Sequence, residues 1–308
     1  MNTLKLSLIV CLIAFSETAI SQSVTRNNRS TADSLRDGGD IPGALAEYKK
    51  IYFQNPEDQH NVYNYACALS INKQIDSSFK YLYIAVEMDT SVASLIDPDF
   101  LTIREDSHWQ DFENQLISML NKKFKNPYSD IEYAKSLWKL RALDQAYFSE
   151  IGIAGRKIGM KSSVVEALWN FKFMIQKNNQ KELERLIDLK GWPKIIDVGS
   201  DAAMGAYLVA IHSNDGRQKK YLPIIKQRCQ ENELSWQRYA NIYDRCLFND
   251  KKPQKYGTHT IYNEQTKTEE LYPLEDEMKV DEWRKELGLE PLANFLKRRN
   301  IKYQPNQK

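Results

Sequence analysis

Apolar residues recur at helical spacing along most of the chain. Residues 202–211 form an apolar run that predicts a buried helix ending at His212. Helical spacing is also present in residues 131–147 and 163–175. In a further stretch the apolar side chains follow one another at steps of three and four: Trp236, Tyr239, Ala240, Tyr243 and Leu247. The pattern predicts a mainly α protein.

The spacing changes to period two in residues 256–262. This alternation is followed by a polar connection and a second apolar run, and it predicts one small β-hairpin. Gly257 within the first strand indicates a bulge or a close approach of another backbone. Gln254, Tyr256 and Thr258 would share one strand face, where they either line a pocket or seal the hairpin against the helices.

Residues 25–92 contain an internal repeat. Five pairs of positions share an offset of 34 residues: Ala32 with Ala66, Leu35 with Leu69, Ala44 with Ser78, Tyr48 with Leu82, and Ile51 with Ala85. This offset is the period of the tetratricopeptide helical hairpin. The repeat therefore predicts a short array of paired helices.

The segment after the repeat resembles the end-of-group form of the tetratricopeptide module. Residues 97–109 read D-P-D-F-L-T-I-R-E-D-S-H-W, and the Y-N-x-A-C segment that accompanies this motif stands at residues 63–67. The resemblance implies a small capped unit over residues 22–121, because two repeats alone bury little surface. We expect a closing layer formed by Phe100, Ile103, Trp109, Phe112 and Leu116.

Residues 1–21 have the pattern of a secretory signal peptide. Lys5 is the only charged residue before the apolar run 6–15, and Ala19 and Ser21 are small residues at the positions that a signal peptidase reads. An uncleaved anchor is the alternative, although the run is shorter than the roughly 20 residues that a membrane span needs. We therefore predict an exported bacterial protein, periplasmic or secreted, with no membrane span after removal of the signal.

The charge of the chain bears on its partners, and the cysteine positions bear on possible disulfides. The formal net charge is +2 at pH 7, which favours neither a nucleic acid nor an anionic membrane surface as partner. Three cysteines remain outside the signal: Cys67, Cys229 and Cys246. In an antiparallel helix pair the last two would lie about 15 Å apart, beyond the roughly 7 Å Cα limit for a disulfide. All three are predicted to be small core residues.

Few residues are spaced as the catalytic or ligand-binding residues of a protein are. His212 and Asp215 form an H-x-x-D pair, in which a carboxylate could orient an imidazole. Asp244 and Arg245 add a second carboxylate and a group that could hold an anion. Each residue also has a purely structural alternative. His212 could be a core histidine, Asp215 could end a helix, and the D-R pair could connect a helix to the hairpin. A metal site would need His212, Asp215 and His259, which lack tight spacing, so we predict no metal and no cofactor.

Several of these residues belong to a longer succession of motifs. The motifs are G-W-P at residues 191–193, H-x-x-D at 212–215, D-R at 244–245, Q-x-Y-G-T at 254–258 and V-D-x-x-R at 280–284. This succession looks like an uncharacterised family of bacterial C-terminal domains of unknown function, with the resemblance covering residues 128–295. Members of the family often have glutamine where this chain has Ile211 and His259.

The resemblance gives boundaries and a residue list but no activity, because the family has none assigned. It implies a C-terminal helical domain over residues 128–300 that carries the β-hairpin, followed by a loose tail at residues 301–308. A D-Q pair that the family carries upstream is matched here by Asp144 and Gln145. The candidate ligand-binding residues are Asp144, Gln145, Gln218, Gln254, Tyr256, Gly257 and Thr258.

The first functional hypothesis is a binding or assembly protein of the cell envelope. In this hypothesis the repeat unit holds a protein or peptide segment, and the C-terminal domain is a structural or ligand-binding companion. Tyr63 and Tyr65 would either face the peptide groove or pack inside the repeat unit. The sequence favours this hypothesis, because no nucleophile and no metal set stands out.

The second hypothesis is a hydrolase-like enzyme or a binder of small ligands. His212 would be the general base or acid, and Asp215 or Asp244 would orient its ring. Arg245 would hold an anionic group of the substrate. Fold resemblance alone does not decide between the two hypotheses.

Overall fold

A computed structural model describes residues 30–213, 215–263, 265–266 and 268–303. The predicted signal peptide lies outside this part of the chain. The described residues confirm the predicted fold class, a mainly α protein with one small antiparallel β-hairpin. Among the described helices, none combines the length and the apolar character that crossing a bilayer requires.

The chain divides into two compact units. We call the part from Arg29 to Tyr221 the N-terminal unit and the part from Leu222 onward the C-terminal unit. The N-terminal unit extends past the boundary that the sequence predicts near residues 122–127. Ile301 is buried in the core of the C-terminal unit, so the packed chain continues beyond the predicted boundary at residue 300.

The N-terminal unit begins with two consecutive helical hairpins. Their helices are α1 (Thr31–Asp37), α2 (Ile41–Gln54), α3 (Gln59–Ile71) and α4 (Ile75–Met88). The Ser30 hydroxyl accepts the N–H of Asp33 at 3.1 Å at the start of α1, and Asp40 Oδ1 accepts the N–H of Gly43 at 3.0 Å at the start of α2. Gly39 has a φ of +74° between the two helices, a conformation that glycine adopts without strain.

The hairpins end in a closing layer, as the pattern predicts. It consists of α5 (Ala93–Ile96), two 3₁₀ turns (Pro98–Phe100 and Ile103–Glu105) and α6 (Trp109–Phe124). All five side chains expected there are buried: Phe100, Ile103, Trp109, Phe112 and Leu116. Cys67 is a buried thiol of α3, in keeping with a small core residue.

The rest of the N-terminal unit is a helical layer that carries most of the polar core. It comprises α7 (Ile131–Gln145), α8 (Phe148–Ile158), α9 (Ser163–Lys190), α10 (Ile195–Val198) and α11 (Ser200–Ile211). α11 packs tightly on α7, since a Cβ placed on Gly205 would lie 2.6 Å from the carbonyl oxygen of Leu137. α12 (Asp215–Gln230) contains the boundary between the two units.

The C-terminal unit continues with α13 (Trp236–Asn249), β1 (Thr260–Asn263), β2 (Thr268–Leu271), α14 (Val280–Glu286) and α15 (Leu292–Arg298). The two strands pair antiparallel, with Thr260 opposite Leu271. Val280, Leu292, Leu296 and Ile301 form a small apolar core. Cys229 and Cys246 are buried thiols, as predicted for core residues.

Candidate functional site

The side chain of His212 meets a buried carboxylate at the end of α7. His212 follows the last residue of α11, and its Nδ1 lies 2.8 Å from Oδ2 and 3.0 Å from Oδ1 of Asp144. The Asp144 side chain is 1% exposed, whereas that of His212 is 16% exposed. The carboxylate is therefore sealed in the protein, while the imidazole retains access to solvent.

Two neighbours hold this carboxylate and its helix end in place. The side-chain amide of Gln145 donates to Asp144 Oδ2 at 2.8 Å. The Lys172 ammonium donates to the main-chain carbonyl oxygens of Asp144 and Leu143, and it lies 4.3 Å from the centre of the Phe148 ring. These carbonyls belong to the last turn of α7, where a cation is favoured by the helix dipole.

Burial and charge act in opposite directions on Asp144 and Lys172. Burial raises the pKa of Asp144, but the charges of His212 and Lys172 and the hydrogen bond from Gln145 outweigh it, so that the pKa lies below its usual range. Burial lowers the pKa of Lys172 from 10.5 to about 8, although Asp144 and Glu150 oppose the change. The site therefore holds an ionised carboxylate and an easily deprotonated ammonium group.

The end of α11 is fixed by two further amides. Gln180 Nε2 donates to the carbonyl oxygen of His212 at 3.3 Å, and Gln218 Nε2 donates to the carbonyl oxygen of Ile211 at 2.6 Å. Carbonyls in the last turn of a helix lack partners within the helix, so these bonds satisfy groups that would otherwise be orphaned. Gln218, predicted as a ligand-binding residue, thus helps to position the backbone that carries His212.

The hydrogen bond to Asp144 decides which ring nitrogen of His212 is available. An ionised carboxylate only accepts hydrogen bonds, so in the neutral form of the imidazole Nδ1 carries the proton and Nε2 presents its lone pair. Within the described part of the chain, Nε2 has no hydrogen-bond partner. The arrangement can act as a general base at Nε2, with the carboxylate orienting the ring. Asp215, the predicted partner of His212, is the first residue of α12.

The connection between α7 and α8 is strained next to the site. Tyr147 has a φ of +68°, in the left-handed region that a non-glycine residue rarely adopts. Its ring lies 5.0 Å from the ring of Phe171 in an edge-to-face contact. Such strain costs on the order of 1–3 kcal/mol and persists where surrounding structure imposes it. Only two residues connect α7 and α8, and Asp144 before this connection and Phe148 after it both contact His212.

A second buried carboxylate, Asp244, organises the C-terminal unit. Its Oδ1 accepts the N–H groups of Lys255 at 2.8 Å and Tyr256 at 3.0 Å. Its Oδ2 accepts the N–H of Thr258 at 3.0 Å and the Thr258 hydroxyl at 2.9 Å. Burial raises the pKa of Asp244, while the N–H donors of Tyr256, Thr258 and Lys255 favour the ionised form and limit the rise.

The residues around Asp244 form a loop, and the prediction of a strand from residue 256 is wrong. β1 begins at Thr260, and residues 254–259 turn around the carboxylate instead. Gly257 has a φ of +73°, and a Cβ placed there would lie 2.6 Å from Leu292. The glycine therefore marks a close approach, but to an apolar side chain.

Gln254 ties this loop to the hairpin. Its Nε2 donates to the carbonyl oxygens of His259 at 2.9 Å and Tyr272 at 2.7 Å, and its Oε1 accepts the N–H of His259 at 2.8 Å. Gln254 is 0% exposed, so all of its polar atoms serve these contacts. Of the two roles predicted for it, pocket lining or sealing, its contacts match the sealing role.

Two further buried residues of this unit, Arg284 and His259, make contacts that the sequence did not predict. Arg284, of the V-D-x-x-R motif, donates to the carbonyl oxygens of Tyr256 at 2.6 Å and Glu290 at 2.7 Å. His259 Nδ1 lies 3.1 Å from the Thr258 hydroxyl oxygen, and burial holds the pKa of His259 well below its usual range. Arg245, the predicted anion-holding group, is also buried in this unit.

Lys172 is a residue of the candidate site that was not predicted from the sequence, although a signal for it exists. It lies seven residues after Val165 and seven before Asn179, so all three share one face of α9. Val165 and Asn179 are buried, and Lys172 is 0% exposed. A lysine on the apolar face of a helix predicts a buried cation that needs a carboxylate or carbonyl partner.

The two tyrosines considered for a peptide groove are engaged inside the repeat unit. The Tyr63 hydroxyl donates to Asp97 Oδ2 at 2.9 Å. Tyr65 is buried and stacks on the ring of Tyr52 at 5.5 Å. Of the two alternatives, packing is the one that these contacts match.

One cluster in the described residues places possible metal ligands together. Ligand atoms of Cys67, Asp97 and Asp99 all lie within 4.8 Å of one another. The Arg36 guanidinium already pairs with Asp99 at 2.5 Å, and Asp97 accepts the Tyr63 hydroxyl. Asp99 is thus paired with a cation and Asp97 accepts a hydrogen bond from a phenol, so both carboxylates already have protein partners and we propose no metal site here.

The described residues form a mainly helical protein in which two aspartates are buried, and one of them faces a partly exposed histidine. A family model described as a family of unknown function, DUF6624, matches residues 132–305, and the chain belongs to this family. This match confirms the predicted resemblance of the C-terminal part of the chain to a domain family of unknown function. No curated protein and no solved structure matches the chain.

Proposed function

We propose that the chain is a hydrolase-like enzyme in which His212 acts as a general base. The observation that carries this proposal is the contact between His212 Nδ1 and the buried carboxylate of Asp144, at 2.8 Å, on an imidazole that remains partly exposed. A buried carboxylate fixes the tautomer and the direction of the ring. Asp144 is a positioning residue, because it acts through His212.

The reaction that this geometry supports is the attack of water on an ester or amide. His212 Nε2 takes a proton from a water molecule while the water oxygen bonds to the carbonyl carbon. The bond from that carbon to the leaving oxygen or nitrogen then breaks, and the imidazolium returns its proton to the leaving group. Asp144 stabilises the imidazolium between the two transfers, and Lys172 compensates the charge of Asp144.

The roles predicted for the other candidate residues have less support. Asp244 is bound by main-chain N–H groups of its own unit, which favours a structural role over the orientation of an imidazole. A role of Asp215 as a second partner of His212, and of Arg245 as a holder of an anionic group, rests on the sequence alone.

The test compares two histidine variants. His212→Gln removes the proposed base, and His108→Gln removes an imidazole that is paired with Asp106 at 2.7 Å but is 68% exposed. We expect His212→Gln to lower kcat/KM by about 100-fold or more on fluorogenic esters and amides that the full chain hydrolyses, and His108→Gln to leave it unchanged. Asp144→Asn should lower kcat/KM at least about tenfold.

A second readout does not depend on finding a substrate. ¹⁵N NMR of the imidazole should show His212 protonated at Nδ1 in the native chain and a mixture of tautomers in Asp144→Asn. The proposal is wrong if Nε2 carries the proton of neutral His212, or if His212→Gln hydrolyses every substrate as fast as the native chain.

Export and partner binding are further proposals, which rest on the sequence. Export is supported by the charge, apolar run and small residues of positions 1–21. A protein or peptide partner at the helical hairpins is supported by the tetratricopeptide-like spacing alone, because Tyr63 and Tyr65 are taken up by internal contacts.

A further inference from the structure

The first half of α9 has an unusual surface for an exposed helix. Between Glu166 and Lys177 the only charged residue is Lys172, and this residue is 0% exposed. Phe173, in the same stretch, is 52% exposed. The second half of the helix, by contrast, is rich in charged residues: Lys177, Lys181, Glu182, Glu184, Arg185, Asp188 and Lys190. Trp169 lies four positions before Phe173, so two aromatic rings share one uncharged face of the helix, and contiguous apolar surface often marks a binding site.

A line of rings connects this surface to the candidate base. The Phe148 ring lies 6.2 Å from the ring of His212 and 6.2 Å from that of Trp169. The Trp169 ring stacks on Phe173 at 5.6 Å with an interplanar angle of 27°. Phe148 and Trp169 are both partly exposed. We call Phe148, Trp169 and Phe173 the aromatic strip.

The chemistry of the aromatic strip selects the kind of group that it can bind. Ring faces and edges attract apolar and aromatic groups, and burying such groups removes apolar surface from water. An anionic group gains nothing from this stretch, because its one cation, Lys172, is buried and already donates to two carbonyl oxygens. The surface fits an uncharged acyl or aryl group.

We propose that the aromatic strip is the subsite for an uncharged, apolar acyl or aryl portion of the substrate. This inference rests on the proposed function, since it names the substrate class of the same site. A group that lies along Trp169 and Phe148 directs its reacting end toward His212, because the ring contacts run in that order. The substrates would be esters or amides with an apolar, uncharged part next to the cleaved bond.

The binding test uses an uncharged fluorescent probe, N-phenyl-1-naphthylamine, on the full chain. Phe173→Ser removes the exposed end of the strip, and Phe171→Ser is the matched control. Phe171 lies two positions away in the same helix and is 45% exposed, but its ring contact is to Tyr147 instead of Trp169. We expect Phe173→Ser to raise the dissociation constant about tenfold and Phe171→Ser to change it less than about twofold.

Histidine NMR locates the bound probe. The chain has four histidines, so each ring can be assigned by substitution. The probe should shift the ring protons of His212 and leave those of His60 and His108 in place, since both are exposed and contact no ring of the strip. The inference is overturned if His212 does not shift, or if Phe171→Ser weakens binding as much as Phe173→Ser. It is also overturned if sedimentation shows that Phe173→Ser dissociates an oligomer, because the strip would then be a contact between copies.

The failure of this inference and the failure of the proposed function are distinguishable. His212→Gln should lower kcat/KM by about 100-fold or more and keep the affinity for the probe. Phe173→Ser should weaken the probe and raise KM more for substrates with long acyl or aryl groups than for acetyl substrates, whereas Phe171→Ser should leave kcat/KM for both kinds of substrate unchanged. Normal probe binding with no dependence of hydrolysis on His212 would refute the proposed function and leave an apolar binding surface.

Discussion

Two buried aspartates, one in each compact unit, have opposite surroundings. Asp144, 1% exposed, is bound by side chains, the imidazole of His212 and the amide of Gln145. Asp244, 0% exposed, is bound by three main-chain N–H groups and the hydroxyl of Thr258. The pKa of Asp144 is lowered, whereas that of Asp244 is raised.

The difference separates a structural carboxylate from one that is suited to chemistry. Main-chain donors cannot leave Asp244 without unfolding the loop of residues 254–259, so this carboxylate holds the loop on α13. His212 is partly exposed and can take up and release a proton while Asp144 stays in place. Burial alone therefore does not identify a site; the kind of partner that the carboxylate has, and the access of that partner to solvent, does.

The largest loss of unfolding free energy is expected for Asp244→Asn. The amide group of asparagine would face N–H donors and leave at least one of them without an acceptor, which costs about 1–3 kcal/mol for each buried group. We predict a loss of about 3 kcal/mol in the free energy of unfolding, measured by urea denaturation followed by circular dichroism. Glu282→Gln is the control, because it neutralises an exposed carboxylate of the same unit and should change stability by less than about 0.5 kcal/mol.

Equal stabilities of Asp244→Asn and Glu282→Gln would contradict the structural role of Asp244. In that case the hydrogen bonds from residues 255, 256 and 258 would contribute nothing net to the fold, and Asp244 would be free for a chemical role. The hydrolysis assay on Asp244→Asn, at a temperature where the variant is folded, should by contrast show a rate close to that of the native chain.

The second prediction concerns the cation beside Asp144. The pKa of Lys172 falls from 10.5 to about 8 in the fold. Between these values the unfolded chain retains the proton while the folded chain has released it, so stability rises with pH in this window. The cost of burying the charged form is fully present below about pH 8 and is relieved by about 3 kcal/mol by about pH 10.5.

The measurement compares unfolding free energies of the native chain, Lys172→Met and Lys181→Met at several pH values. Lys181 is an exposed lysine of the same helix. The difference between the native chain and Lys172→Met should grow in favour of the native chain from about pH 8 to about pH 10.5, because the variant lacks the titrating group. The Lys181→Met curve should run parallel to the native one. A constant offset for Lys172→Met would show that Lys172 is not buried as a cation.

The comparison also shows what sequence patterns can predict. Helices such as α11 and α13 were predicted because their signal is local: apolar residues at steps of three and four determine which face is buried. The pairing of Asp144 with His212 joins residues 68 positions apart, and no local pattern encodes it. Both residues were among the candidates, but the carboxylate assigned to the imidazole was Asp215 or Asp244.

The loop around Asp244 shows why local alternation can mislead. Residues 256–259 alternate like a strand, yet the N–H groups of Tyr256 and Thr258 bind the carboxylate of Asp244 on α13 instead of a neighbouring strand. The competing contact is tertiary, so propensity cannot reveal it. The left-handed conformation of Tyr147 had no sequence signal either, since the residue is neither glycine nor asparagine.

The smallest loss of unfolding free energy is expected for Thr258→Val. This variant tests how much the hydroxyl of Thr258 contributes to holding Asp244. The Thr258 hydroxyl donates to Asp244 Oδ2 at 2.9 Å and lies 3.1 Å from His259 Nδ1, which donates to it. Valine has nearly the same shape but removes both bonds. Asp244 keeps its three N–H donors, so the expected loss of unfolding free energy is only about 1–2 kcal/mol. Thr266→Val, at an exposed position, should cost less than about 0.5 kcal/mol. A loss for Thr258→Val as large as that for Asp244→Asn would mean that the hydroxyl, and not the backbone, holds the carboxylate in place.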